Sequence, residues 1–394
     1  MKSNILLVVI LALSLSCSRG NASEEEASEH VHNSTVIEKG PVKIDLNNPI
    51  LGEGNLNLSD IAGKIKYVPL ETNKDCLIKS INAIKIAGSY IYVSTPGQLL
   101  LFDNSGRFIR RIGYEGNGPG EYNTIADIAV DSDDGSVYLI NILGEKIMHF
   151  SIEGEFLDSF PLDFPVAADN IELYDGNIYL SFSDMVNKIG DGSSKLMVAE
   201  FTRSGDLINR YESSLPVKEN ARVTILLPCE VLYTYGNTLM IKEVRSDTLY
   251  RMAGDGIISP AYIFDYSASK MPMEEYSYES FAKRYLGNRY VYFLKVIEDQ
   301  NRLFFTCKHR GEDIHWIFDK ASGELFKYNS SQKHAKIPDD IKSGPGFWPE
   351  FSGDDYLLAY LEPSLLNEQE LKSLSDITGN IDISSNPVLQ IVSY

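Results

Sequence analysis

The chain has 394 residues and carries 55 Asp and Glu against 36 Lys and Arg, a formal net charge of −19. That balance argues against nucleic acid and anionic membrane surfaces as partners, because no positive field is available to displace counterions from phosphates. The 23 Tyr and 17 Phe tilt the composition toward strands, and the length suits two or three average domains or one domain built of repeats.

The N-terminus reads as a processing signal. Lys2 precedes an apolar run over 5–15 that is too short to span a bilayer. It ends in Leu-Ser-Leu-Ser-Cys at 13–17, and Ser16 before Cys17 resembles the bacterial lipobox, although Ser14 stands where Leu is favoured. We expect a signal peptide over 1–16, lipidation at Cys17 and a disordered, acidic tether over 17–57. His30 and His32 fall on that tether and form no metal motif. Cys76, Cys229 and Cys307 share no close spacing, so no zinc motif is present, and the pairing of any disulfide is not readable.

From residue 58 onward, short apolar or alternating runs are broken by Gly, Asp and Asn. A turn followed by an apolar strand recurs at Ile91, Val137, Ile178, Leu239, Leu303 and Leu357, at intervals of 41 to 64 residues. A second landmark, an apolar residue followed by a Gly turn, recurs at Phe102/Gly106, Phe150/Gly154, Phe201/Gly205, Met252/Gly256 and Phe318/Gly323. A further apolar run precedes five of the six first landmarks, at 81–86, 125–130, 171–174, 231–235 and 291–297. Each unit is therefore about four strands, which predicts an all-β, six-bladed β-propeller over 58–394 with four-stranded blades. The last unit lacks a strand, and 64–70 supplies one, so the N-terminal strand is expected to close the last blade. Small helical insertions are expected over 271–287 and 363–374. A seven-unit ring and a pair of open sandwiches are the alternatives.

The run YVPLET at Tyr67, the hairpin LLLFDNSGRFIRRIG at Leu99, the crossing GNGPGEY at Gly116 and GPGFWPE at Gly344 together resemble the six-bladed propeller lipoproteins of Bacteroidetes, distant relatives of NHL-repeat propellers. The acidic run Glu24-Glu25-Glu26 resembles their surface-export signal. The resemblance implies a lipid-anchored protein of the outer membrane, on its surface or periplasmic face, that binds a nutrient or partner.

Two crossings are candidate sites. Gly118-Pro119-Gly120 precedes Glu121 and Tyr122, and Gly344-Pro345-Gly346 precedes Trp348 and Glu350. An aromatic beside a carboxylate suits a sugar or a cation. The competing role is structural: the Gly-Pro-Gly segments shape inter-blade turns, and Tyr122 and Trp348 plug the gaps between blades. His309 and Arg310 in a mid-blade loop are the remaining candidates. No catalytic constellation, metal site or cofactor motif is visible, and Gly-x-Ser-x-Gly is absent. The expected function is non-catalytic binding of a small molecule, glycan or envelope protein by a monomer. A metal- or acid-dependent hydrolase or lyase acting on glycans or lactones, and a structural subunit of an outer-membrane assembly, are the rival classes.

Overall fold

The computed structural model describes residues 40–393 apart from 143–144, 163–167, 183–187, 190–191, 194–195, 214–230, 244–245, 273–289, 330–335 and 354. The signal and lipidation features at 1–17, Glu24–Glu26, His30, His32, Cys229, His334 and most of 271–287 lie outside the described residues.

Six antiparallel four-stranded sheets follow one another along the chain. Blade 1 runs from its inner strand Ala83–Ala87 through Tyr90–Thr95 and Gln98–Asp103 to its outer strand Phe108–Arg111. Blade 2 spans Ile125–Val130 to Phe156–Pro161, and blade 3 spans Ala168–Tyr174 to Leu207–Glu212. Blade 4 spans Val231–Tyr235 to Ile258–Asp265, and blade 5 spans Tyr292–Glu298 to Leu325–Asn329. Blade 6 orders Phe351–Ser352, Tyr356–Leu361, Val388–Ser393 and finally Lys64–Pro69. Inner strands of successive blades pack on one another, and that of blade 6 returns to blade 1, so the ring is closed.

The predicted closure is thus observed: Lys64 to Pro69 pairs in register with Ser393 to Val388. Middle strands are buried along nearly their whole length, as in Val137–Asn141 and Leu196–Phe201, because each blade face is covered by a neighbour. This explains why the sequence shows short continuous apolar runs there instead of clean alternation. Outer strands such as Phe156–Pro161 and Leu207–Glu212 are mostly exposed.

The recurring Gly turns have a packing reason as well as a conformational one. Gly106 has φ +86°, and a Cβ there would lie 2.1 Å from the Pro69 carbonyl oxygen on the outer strand of blade 6. Gly154 meets the Arg111 carbonyl of blade 1 in the same way, and Gly205 meets the Phe160 ring of blade 2. The turn of each of these blades therefore presses on the outer strand of the blade before it, where only glycine fits.

The chain joins the fold earlier than position 57, the expected end of the tether. Val42–Asp45 adds a fifth strand to blade 4, parallel to Ile258–Asp265. The segment then reaches blade 5, where Leu325 N donates to Ile50 O (2.7 Å) and Gly52 N to Leu325 O (3.0 Å). Next, Tyr328 Oη donates to Leu56 O (3.0 Å), and the segment enters blade 6. Residues 42–69 thus form a strap over the outer edges of three consecutive blades. The helix expected over 363–374 divides into a 3-10 turn at Pro363–Leu365 and an α-helix at Glu368–Thr378. Asn367 caps the α-helix and accepts from Glu370 N, while Glu370 reaches back to Asn367 N.

Candidate functional site

Inner strands from all six blades enclose a central cavity of about 1230 Å³. Their sequences are apolar runs interrupted by a charged residue: AIKIA, IADIAV, IELY and FLKVIE. These strands bring Lys85, Asp127, Glu172 and Lys295 to the cavity wall, while neighbours such as Ile84, Ile128 and Ile171 are buried in the apolar clusters of the blades.

Lys85 of blade 1 pairs with Glu172 Oε1 of blade 3, spanning blade 2. On blade 2, Asp127 Oδ2 accepts from Ile171 N (3.1 Å) and Asn170 Nδ2 (3.4 Å). Burial alone depresses the Lys85 ammonium, but Glu172 and Asp127 outweigh it and hold its pKa above the usual lysine value. Burial pushes the Asp127 carboxyl up, against the opposing pull of Lys85 and its hydrogen-bond donors. Tyr356 Oη accepts from Ile86 N (3.3 Å), tying blade 6 to blade 1, and burial raises its phenol. On the far wall, Lys295 Nζ lies 3.3 Å from Glu350 Oε2 and 4.5 Å from the centroid of Phe351.

Of the residues singled out from sequence, Glu350 lines the cavity. Tyr122 and Trp348 belong to the buried core, at 1% and 4% exposure. Tyr122 Oη donates to Ile112 O (2.9 Å) and accepts from Leu99 N (3.1 Å), and its ring meets Phe150 edge-on between blades 1 and 2. Burial raises its phenol to about 12. Trp348 Nε1 donates to Thr306 Oγ1 (3.1 Å), and its ring stacks on His315 at 4.2 Å. Of the two roles weighed for these aromatics, the structure shows the structural one: both rings fill inter-blade gaps, and they form no platform facing a ligand. Trp348→Ala is accordingly expected to cost about 3–5 kcal/mol of stability, measured by urea unfolding, instead of leaving the fold intact.

Glu121 turns back on its own loop, where Oε2 accepts from Gly118 N (2.7 Å). Pro119 lies within that loop, and Gly120 adopts φ +76°. At the second crossing, a Cβ on Gly344 would lie 2.1 Å from Tyr67 Oη, and one on Gly346 would lie 2.9 Å from Lys336 Cβ. Pro345 O accepts from Gln390 Nε2 (2.9 Å). His309 and Arg310 sit at the tip of the hairpin joining Arg302–His309 to Glu312–Asp319 and do not themselves line the cavity, although Asp313 of the same hairpin does. Burial, then Arg310 and Lys327, hold the His309 imidazole below its usual pKa. Cys76 and Cys307 are buried in separate clusters. Among the described residues no group of three or more His, Cys, Asp or Glu is arranged to hold a metal ion, and none of their helices is long and apolar enough to cross a membrane.

In fold, the chain is similar to an exported-class protein of Bacteroides fragilis (20% identity, TM-score 0.69, covering 89% of this chain and 99% of that one). It is also similar to a DUF4221-family member from Bacteroides vulgatus (13% identity, TM-score 0.52, covering 84% and 97%). At these identities the likeness concerns the fold alone. No curated protein matches the sequence. The profile of one family does match, over residues 41–393, and the chain belongs to that family, the domain of unknown function DUF4934.

Proposed function

We propose that this chain is a non-catalytic binding protein of the bacterial cell envelope that takes a small molecule or glycan into its central cavity. The supporting observation is the cavity itself, about 1230 Å³ in volume and walled by charged side chains that inner strands from separate blades hold in place. This is larger than a typical drug-sized pocket of about 300–1,000 Å³, so an oligosaccharide or short peptide fits the scale. The polar wall fixes orientation while the ring provides rigidity.

The double substitution Lys85→Met with Glu172→Gln removes the cross-blade ion pair with little change in volume. Ligands found in a thermal-shift screen of glycans and metabolites should bind this variant about tenfold more weakly. The pair His309→Ala with Arg310→Ala should leave their affinity unchanged. Equal ligand-induced shifts in wild type and the Lys85/Glu172 variant would count against the cavity as the site.

The envelope assignment rests on the N-terminal signal and on Cys17, which we propose is lipidated and anchors the protein to the outer membrane. The similar Bacteroides fragilis protein, classed as exported, is consistent with this location. Cys17→Ser should move the protein from the membrane fraction to the soluble fraction, and retention in the membrane fraction would refute lipidation.

A further inference from the structure

Two places on the cavity wall pair a lysine with a carboxylate across blades. At the first, the Lys85 ammonium lies against Glu172, with Asp127 and the Tyr356 phenol acting on it from neighbouring blades. At the second, the Lys295 ammonium lies against Glu350 and over the Phe351 ring. Both seat an alkylammonium against a carboxylate, but only the second sets it over the face of an aromatic ring, the surroundings that favour cation–π binding.

The two differ in how firmly the lysine is held. The side chains of Lys85 and Glu172 are 26% and 11% exposed, whereas those of Lys295 and Glu350 are 38% and 42% exposed. An ion pair as open as the second contributes little, and lysine has a flexible four-carbon stem. On the receiving side, Glu350 N donates to Leu358 O (2.8 Å) and Phe351 stacks on Tyr360, so blade 6 sets the ring and the main chain from which the carboxylate extends. Lys295 reaches in from blade 5.

We propose that Lys295 is a placeholder, and that the ligand of the cavity carries a primary ammonium group that takes the place of the Lys295 ammonium over Phe351 and against Glu350. The inference rests on the cavity being the binding site. Among the described residues the wall carries six carboxylates, Asp127, Asp169, Glu172, Asp313, Glu350 and Asp355, against Lys85 and Lys295, with Lys308 pairing Asp313 from beside it, a balance that favours a cation. An anionic guest would have to separate Lys295 from Glu350 and leave that carboxylate with only the more distant Lys336 as a cation acting on it. An amino sugar and a peptide amine share the required chemistry.

The test is calorimetric titration of the full chain at low salt with glucosamine and with glycylglycinamide, each beside its N-acetylated form. The ammonium forms should bind, and the acetylated forms should bind at least about tenfold more weakly. Whichever of the two ammonium probes binds more tightly identifies the source. Lys295→Ala should tighten binding about three- to tenfold, because the competing ammonium is gone, and Glu350→Gln should weaken it about tenfold. Should Glu350→Gln fail to fold, Phe351→Leu removes the ring and should weaken binding in the same direction. Equal binding of the acetylated probes, weaker binding by Lys295→Ala, or no binding of either ammonium probe would overturn the proposal. Acetylated probes that bind and are lost with Lys85→Met and Glu172→Gln would leave the cavity standing as the site. Binding indifferent to every one of these substitutions would remove both.

Discussion

A chain that begins at residue 71 is expected to lose cooperative unfolding, whereas one that begins at residue 40 keeps it. The first truncation removes Lys64–Pro69, the outer strand of blade 6, and with it the buried side chains of Ile65, Tyr67, Val68 and Leu70. Each large apolar side chain taken from the core contributes about 1.5–3 kcal/mol, so the sum approaches the whole stability of a domain, about 5–15 kcal/mol. The truncation also exposes the edge of Val388–Ser393 and opens the ring. A chain that begins at residue 58 removes only the strap over blades 4 and 5. Its main buried apolar loss is Ile44, so it should fold with a stability lowered by about 2–4 kcal/mol. Both tryptophans, Trp316 and Trp348, are buried, and their fluorescence reports the transition during urea unfolding. Cooperative unfolding of the chain starting at 71 would mean that blade 6 does not depend on its N-terminal strand.

Glu298→Ala is expected to destabilise the protein by about 3–5 kcal/mol. Glu298 closes the inner strand of blade 5 and is 4% exposed. Its Oε2 accepts from Tyr233 Oη (2.9 Å), and its Oε1 accepts from Tyr262 Oη (2.9 Å) and pairs with Lys320 Nζ (2.6 Å). Tyr233 and Tyr262 belong to the inner and outer strands of blade 4, so one carboxylate joins two blades. Burial first, then the Glu298 charge, raise both phenols well above the usual tyrosine value, which keeps them protonated donors. Removing Glu298 leaves two part-buried hydroxyls without an acceptor and the Lys320 ammonium without its counter-charge, with Asp299 O (2.6 Å) as its remaining acceptor. Removing Lys320 as well should recover part of the loss, since the uncompensated charge goes with it. A double-mutant cycle in urea measures both steps. A loss below about 1 kcal/mol for Glu298→Ala would place the blade 4–5 contact elsewhere.

The architecture was legible because it is written in local signals that repeat. Gly106, Gly154 and Gly205 mark turns whose backbone needs positive φ and whose neighbours leave no room for a Cβ. The spare strand at 64–70 and the incomplete last unit are complementary, which pointed to the closure. Val42–Asp45 was not legible. Four residues in a polar stretch become a strand only by pairing with 262–265, and no local signal reports so distant a partner.

The site was less legible than the fold. Tyr122 and Trp348 stood out as aromatics beside glycine-rich crossings, but an aromatic there fills an inter-blade gap as readily as it faces a ligand, and burial decides between the two. The cavity wall carried a fainter signal. Lys85, Asp127, Glu172 and Lys295 interrupt apolar inner strands, and such interruptions mean something only once those strands are known to face the channel. Glu350 was singled out as the partner of Trp348; the structure separates the two, burying the tryptophan and leaving the carboxylate on the wall.

The most direct measurement of the central claim is a crystal structure of the protein soaked with its tightest ligand from the thermal-shift screen. Binding in the cavity predicts ligand density between the Lys85–Glu172 pair and the Lys295–Glu350 pair. Density on the outer edges of the blades or at the His309–Arg310 turn, with the central cavity free of ligand, would contradict it.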